Sequence, residues 1–226
     1  MKTEKLLPNR GTFLRKNTSK PLSISIDSEI LEEIFLINES NFLTTNITPQ
    51  DLRISPHSHY MLINNATQEI IINYSRDVSD HSVVYDPYKY EHQKKQKIDP
   101  KQFKKDHDVP EGYIDILPKW YSIKFTYPEF NLIYIKSEMG ISFQIHKKRS
   151  EYWTILGGKP IVINDHSVYY YVESGREFEN SVGAYHSIIN PNQKNGDFVV
   201  LREQWSGKFD EQDIKRVFNP NHYSDV

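Results

Sequence analysis

One short segment concentrates the side chains that could do chemistry. Residues 140–158, GISFQIHKKRSEYWTILGG, contain His146 and Glu151, which could both bind a metal ion. On a β-strand, residues two apart face the same side, so a histidine at position 148 would aim a second imidazole into the same pocket. Lys148 stands there instead, and a protonated lysine has no lone pair to donate. Either the metal is held with help from elsewhere in the chain, or the fold is kept with different chemistry.

Composition limits the ligands and the partners. The 226 residues include no cysteine, so thiolate zinc sites and cysteine nucleophiles are excluded, and any metal must use His, Asp, Glu or water. A net charge of -2, from 28 basic and 30 acidic residues, gives no field that would draw the chain to nucleic acid or an anionic membrane. Because no signal-like segment or apolar run of roughly 20 residues is present, we expect a soluble cytoplasmic protein.

The part of the chain after Pro118 predicts many short strands. Its apolar runs include WYSIKFTY, NLIYIK, ISFQIH and DFVVLREQW, and turn residues such as Gly157-Gly158 separate them. This pattern favours a mainly β fold of the sandwich or jelly-roll type. We therefore expect a barrel at residues 111–226, after an N-terminal extension at residues 1–110. No internal sequence repeat is evident.

The N-terminal extension predicts less regular structure. Residues 1–23 are polar and basic and are expected to form an arm. The pattern SEILEEIFLINES predicts a short amphipathic helix that includes Ile34 and Phe35 on its apolar face. The runs YMLI and EIIINY predict two strands joined by a tight turn, and the lysine-rich residues from 77 to about 110 predict a linker.

Other polar residues receive simpler interpretations. His57 and His59 form a second H-x-H pair, but no carboxylate follows at ligand spacing, so a partly exposed pair before a strand is expected rather than a metal site. His81 lies in polar surroundings and is also expected to be exposed. Arg202 and Glu203 share a late strand, and the sequence does not determine which of the two faces inward.

Three blocks of sequence carry a family resemblance. They are GISFQIHKKRSEYWTILGG, SVGAYHSIIN and SGKFDEQDIKRV. The matching positions are Gln144, His146, Arg149, Glu151, Trp153, Gly183, His186, Asn190, Ser206, Gly207, Glu211, Asp213, Ile214 and Arg216. In this order the blocks resemble the cupin superfamily, and most of all the C-terminal cupin domain of type II mannose-6-phosphate isomerases, often fused to a mannose-1-phosphate guanylyltransferase. The resemblance covers about residues 120–218 and implies a cupin-type jelly-roll β-barrel.

The resemblance also implies a metal centre. Its ligands would be His146, Glu151 and His186, a 2-His-1-carboxylate set that can hold Zn, Mn, Fe or Ni with open positions. Two departures from the family pattern bear on this: Lys148 replaces a usual histidine ligand, and Tyr152 replaces the histidine after the glutamate. The ion is therefore expected unless Lys148 has displaced it, in which case both histidines are only hydrogen-bonded.

The implied ligand is a sugar or a sugar phosphate. Lys148 and Arg149 would act at its anionic group as the catalytic cations, and Gln144 and Arg216 would bind the rest of the substrate. The resulting function is a metal-dependent aldose-ketose isomerase of the mannose-6-phosphate type. Two alternatives stay open: a non-catalytic cupin that binds a small carbohydrate or anion, and an oxygenase that uses Fe(II) at the three ligands. The family resemblance further implies a homodimer.

Overall fold

The protein is mainly β in the computed structural model, which describes residues 2–207 and 213–221. The helical segments there are a 3-10 helix at Ser28–Glu33 and an α-helix, α1, at Pro100–Asp106. The strands of the first half are β1 (Thr3–Leu6), β2 (Leu14–Lys16), β3 (Leu22–Ser25), β4 (Ile34–Asn38), β5 (Asn41–Leu43), β6 (Arg53–Ile54), β7 (His59–Asn64), β8 (Ile70–Tyr74) and β9 (Ser82–Tyr85). Those of the second half are β10 (Asp115–Pro118), β11 (Ser122–Thr126), β12 (Asn131–Ile135), β13 (Phe143–His146), β14 (Arg149–Gly157), β15 (Ile161–Asn164), β16 (Ser167–Tyr169), β17 (Glu177–Asn180), β18 (His186–Ile189), β19 (Val199–Gly207) and β20 (Ile214–Phe218).

The second half confirms the predicted cupin-type jelly roll. One sheet has the order β10-β11-β12-β19-β14-β17, and β20-β13-β18-β15-β16 form part of a ten-stranded sheet. Alternation along β14 buries Arg149, Glu151, Trp153 and Ile155 on one face. The apolar pair packs in the core between the sheets, and the two charged residues at the start of the strand place a polar site at one end of the barrel.

The first half differs from the predicted extension, because residues 2–23, the described part of the predicted arm, do not form one. They contribute β1, β2 and the start of β3 to two sheets, of order β1-β8-β3-β6 and β9-β2-β7-β4-β5. The predicted hairpin is also wrong, since β7 pairs with β2 and β4 whereas β8 pairs with β1 and β3 in the opposite sheet. Every residue of β7 is buried, as expected for a central strand with neighbours on both sides.

Two further predictions for the first half need correction. The predicted amphipathic helix is a 3-10 helix that ends at Glu33, and Ile34 and Phe35 belong to β4, where both are buried. The predicted linker contains α1, which is capped by Asp99 and buries Phe103 against the second half. Among the described residues, no helix is long and apolar enough to span a membrane.

The two halves repeat the same strand arrangement. The order β1-β8-β3-β6 in the first half corresponds to β12-β19-β14-β17 in the second. In the same way, β9-β2-β7-β4-β5 corresponds to β20-β13-β18-β15-β16, so each strand of the first half has an equivalent eleven strands later. The halves meet edge to edge, where Asn41 of β5 pairs with Ser167 of β16, and they share a core that includes Phe42 and Phe143. The predicted division near residue 110 stays a prediction.

Candidate metal centre and adjoining cavity

Three strands bring the predicted ligands together. His146 ends β13, Glu151 lies near the start of β14, and His186 begins β18; all three are at most 2% exposed. The Nε2 atom of His146 lies 2.9 Å from one Glu151 carboxylate oxygen, and Nε2 of His186 lies 3.6 Å from the other. One ligand atom from each residue lies within 4.8 Å of the others. Ligands that bind one ion at about 2.1 Å and at right angles lie about 3 Å apart, so the 2.9 and 3.6 Å contacts of Glu151 are close to the spacing of ligands around a divalent metal.

The hydrogen bonds of both imidazoles leave the metal-binding nitrogen available. Nδ1 of His146 lies 3.2 Å from the backbone carbonyl oxygen of Asp213, and Nδ1 of His186 lies 3.0 Å from that of Ala184. A carbonyl oxygen only accepts, so each Nδ1 carries a hydrogen and each Nε2 is the nitrogen left to face Glu151; at His146 a bound ion would take the place of the hydrogen that Nε2 shares with this carboxylate. A second hydrogen-bond partner of this kind is what orients histidine ligands in metal sites.

The charges of the site also suit a cation. Burial alone would raise the pKa of Glu151, but the hydrogen bond from His146, the positive charge that His186 carries in acid and the charge of Arg149 hold that pKa well below its ordinary value. Burial lowers the pKa of His186 to about 4, so this imidazole is neutral at neutral pH. An ionised carboxylate and a neutral imidazole are the forms that bind metals.

Arg149, rather than Lys148, is the cation next to the ligands. Its Nε and Nη2 lie 3.0 and 2.9 Å from the same Glu151 oxygen, and Nη2 is 3.3 Å from Nε2 of His146. Lys148 lies in the bend between β13 and β14 with its side chain exposed, and its backbone N–H donates to Asp213. The ligand set fits a metal, provided that Arg149 gives up its contact with Nε2 of His146 and that Gln144 gives up its 3.4 Å contact with Nε2 of His186.

A cavity of about 110 Å³ adjoins Glu151. It is lined by the predicted residues Gln144, Arg149 and Arg216, so the structure brings these three together beside Glu151, the one member of the ligand set that lines the cavity. Gln144 is held by Ser142, whose hydroxyl donates to its side-chain oxygen at 2.7 Å. The exposed Lys148 does not line the cavity, and its catalytic role stays a prediction.

Three charged residues of this cavity were not predicted. Lys119, Lys124 and Glu203 line it, so four cations and two carboxylates face the same space. Glu203 accepts a hydrogen bond of 2.8 Å from the side-chain amide of Asn131. Burial and the charge of Glu151 raise the pKa of Glu203 to about 7. Leu201 provides a sequence signal for Glu203: a residue two positions from a core leucine on a strand faces the same way.

Comparison with known families confirms the resemblance found in the sequence. Residues 121–219 match the family model described as the C-terminal part of mannose-6-phosphate isomerase. The match spans less than half of the 226 residues but includes the ligand set and the cavity residues Lys124, Gln144 and Arg216. A search of curated proteins finds no relative that matches this chain.

Solved structures of cupin proteins share only distant similarity with this chain. A sugar phosphate isomerase from Silicibacter pomeroyi is 12% identical over 39% of this chain and 60% of its own, with a TM-score of 0.34. Lactobacillus farciminis oxalate decarboxylase is 10% identical over 95% and 78%, and salicylate 1,2-dioxygenase of Pseudaminobacter salicylatoxidans is 9% identical over 91% and 69%; their TM-scores are 0.38 and 0.32. The chain spans 50–60% of the length of the sugar phosphate isomerase structures that it matches. These values do not transfer an activity to this chain.

Proposed function

We propose that this chain is a metal-dependent isomerase that interconverts the aldose and ketose forms of a sugar phosphate. The observation that carries the proposal is the buried cluster of His146, Glu151 and His186, which lies beside a cavity lined by four cationic side chains and a second carboxylate. The family match over residues 121–219 supports the same reaction class.

The cavity has the groups needed to hold a phosphorylated sugar. Lys119, Lys124 and Arg216 line the cavity and can bind a phosphate, with the guanidinium of Arg216 suited to a bidentate contact. Gln144, which is 8% exposed, offers an amide to a sugar hydroxyl. These residues would place the reacting carbons beside Glu203.

Glu203 is the proposed proton carrier. In this reaction a base removes the proton from the carbon next to the carbonyl, and the same group returns a proton to the former carbonyl carbon. Glu203 lines the cavity, and a carboxyl whose pKa is raised to about 7 can both accept and release a proton near neutral pH. A divalent ion held by His146, Glu151 and His186 would supply positive charge to the substrate oxygens.

Metal analysis and an isomerase assay test the proposal. We expect purified protein to bind a divalent metal with one ion per chain, and the metal-loaded protein to interconvert mannose 6-phosphate and fructose 6-phosphate. His186→Ala should lose the metal, whereas His166→Ala, at a side chain that is 67% exposed, should keep it. Unchanged metal content in His186→Ala would refute the ligand set, and an inactive metal-loaded protein would refute the mannose-specific reaction.

One observation favours a non-catalytic alternative. Arg149 already neutralises Glu151 through two contacts, so the barrel has its own cation at this point. If Arg149 takes the place of the metal ion, the protein would bind an anionic sugar without turning it over, and its affinity for that sugar would be the same with and without a chelator. Calorimetry with mannose 6-phosphate, with and without a chelator, separates the two functions.

A further inference from the structure

The repeated strand order gives the first half of the chain a position equivalent to the metal centre. In the second half, Gln144 of β13 pairs with His186 of β18. In the first half, Arg15 of β2 pairs with Tyr60 of β7. The register shift directly before Gln144 in the pairing of β13 with β20 recurs directly before Arg15 in the pairing of β2 with β9. Arg15 and Tyr60 therefore occupy the places of Gln144 and His186.

The metal ligands themselves are not repeated. Asn17 stands two residues after Arg15, where His146 follows Gln144, and its side-chain nitrogen donates to backbone carbonyls, among them that of Lys20. Leu22 pairs with Ile54 as Glu151 pairs with Asn180, so a leucine takes the place of the carboxylate. Leucine offers no metal ligand and amide nitrogen is not one, which leaves this interior with a different chemistry.

Buried hydrogen-bond donors without acceptors occur at this position. Arg15 is 4% exposed and places Nη2 3.2 Å from Glu4, but its Nη1 has no partner among the described residues. The hydroxyl of Tyr60 lies 2.8 Å from Nδ1 of His81. When this hydroxyl donates to Nδ1, Nε2 carries the ring hydrogen, and that nitrogen, in a residue that is 5% exposed, has no partner among the described residues either. The Nε atom of Arg76 is a third such donor. His81 is thus buried, contrary to the exposed position expected from the sequence.

These donors belong to one neighbourhood. The charges of Arg15 and Arg76 both contribute to lowering the pKa of His81, after the larger effect of burial. Tyr60 joins them, because its backbone pairs with Arg15 and its hydroxyl contacts His81. The backbone pairing and the hydroxyl contact therefore place Arg15, Tyr60 and His81 side by side, and Arg76 is close enough for its charge to act on the His81 ring.

The neighbouring carboxylates do not satisfy these groups. Glu4 is already engaged by Nη2 of Arg15 and by the hydroxyl of Tyr74. Asp80 lies 4.0 Å from Nε2 of His81, beyond hydrogen-bond distance, and its side chain is 74% exposed. A buried donor without an acceptor is unfavourable, and a bound anion would supply the missing acceptor.

We propose that the interior of the first half binds a small oxyanion, a phosphate or a carboxylate, through Arg15, Arg76 and His81. This site is separate from the cavity of the second half and does not depend on the proposed isomerase activity. Guanidinium groups and an imidazole N–H are the donors that recognise such anions.

Thermal unfolding and calorimetry of the full chain test this site, in a variant that carries the substitution Arg216→Gln in the second half. The Arg216→Gln background weakens phosphate binding in the other cavity, which could otherwise produce the signal. Inorganic phosphate and acetate are each compared with chloride at the same ionic strength. We expect at least one of them to raise the Tm saturably by about 2–4 °C, with a stoichiometry of one. The anion that does so identifies the ligand class.

Three variants assign the signal to the proposed donors. Arg76→Gln, and independently His81→Phe, should weaken binding at least tenfold, whereas Arg53→Gln, an exposed arginine on β6 of the same half, should leave it unchanged. Circular dichroism checks that each variant is folded. No saturable stabilisation by either anion, or binding that survives both Arg76→Gln and His81→Phe, would overturn the proposal and leave water as the partner of these donors.

Discussion

Glu203 differs from Glu151 in its charge state, although both line the same cavity. Burial raises the pKa of Glu203 from 4.5 to about 7, whereas Glu151 has an arginine and two histidines that keep its pKa low. The folded protein therefore holds a proton on Glu203 that the unfolded chain releases near pH 4.5. The contribution of this proton to the free energy of unfolding is complete below pH 4.5 and is lost as the pH rises to about 7.

Glu203→Gln tests that charge state in metal-free protein. Glutamine resembles the protonated acid, so the variant should become more stable than the wild type as the pH rises, by about 1–3 kcal/mol at pH 8 compared with pH 4.5. Urea unfolding at the two pH values measures the difference. A stability difference that does not change with pH would show that Glu203 titrates normally.

At the residue scale, the sequence predicted the ligand cluster but not its surroundings. His146, Glu151 and His186 were found because their spacing carries a family pattern, and the structure brings them together. The orientation of Lys148 could not be read, because alternation ends in the bend after β13. Lys119 and Lys124 could not be predicted as cavity residues, because neither lies in one of the three sequence blocks that carry the family pattern.

At the scale of elements, the close pairing of β14 with β19 depends on Gly158. Its φ is +77°, and a Cβ atom there would lie 3.0 Å from both the carbonyl oxygen of Phe198 and the Cα atom of Val199. These neighbours are backbone atoms and have little freedom to move. β14 carries Glu151 and β19 carries Glu203, so this turn helps to align both carboxylates.

Gly158→Ala should therefore cost more than backbone strain alone. We expect about 2–4 kcal/mol of lost stability, from a positive φ together with steric overlap. Gly175→Ala is a matched control, since it has φ +88° but no atom within 4 Å of the added Cβ, and should cost about 1 kcal/mol. Equal losses in urea unfolding for the two variants would contradict the steric explanation.

Element types were predicted better than their partners. The strands at YMLI and EIIINY exist, but the turn signal between them suggested a pairing that the structure does not contain. Strand pairing in a jelly roll joins residues far apart in sequence, so local turn chemistry does not determine it. The helix predicted from Ser28 onward was wrong at Ile34 and Phe35, because these residues belong to β4. β4 is a central strand that is buried on both faces, so its apolar residues follow one another without the alternation that marks a strand in the sequence.

At the scale of the whole molecule, Phe42 connects the two halves. It is fully buried, and its ring centroid lies 5.9 Å from that of Phe35 and 5.7 Å from that of Phe143, across the boundary between the halves. The halves should therefore unfold together. All three tryptophans, Trp120, Trp153 and Trp205, lie in the second half, so their fluorescence reports on that half alone.

Phe42→Ala should lower the stability of both halves, although the residue belongs to the first. We expect a loss of about 3–5 kcal/mol, with fluorescence and circular dichroism moving to the same lower midpoint. Phe130→Ala, at a partly buried residue away from this shared core, is a milder control. A fluorescence transition that stays at the wild-type midpoint would mean that the halves unfold independently.

The repeat of the fold could not be predicted from the sequence. Equivalent positions hold Arg15 and Gln144, or Leu22 and Glu151, so the two halves conserve a strand arrangement and a register shift without conserving side chains. Many different apolar side chains can fill a jelly-roll core of the same topology. The few polar residues at these positions therefore set the chemistry that each half can offer.

The edge-to-edge junction of β5 with β16 has a further consequence. It places two similar barrels side by side, as the association of two separate chains would, but here both partners belong to one polypeptide. Their mutual affinity is therefore set by an effective concentration within the chain, and diluting the protein does not weaken it. A second copy is not needed to complete this sheet, and the stability of the junction should be the same in dilute and in concentrated solution.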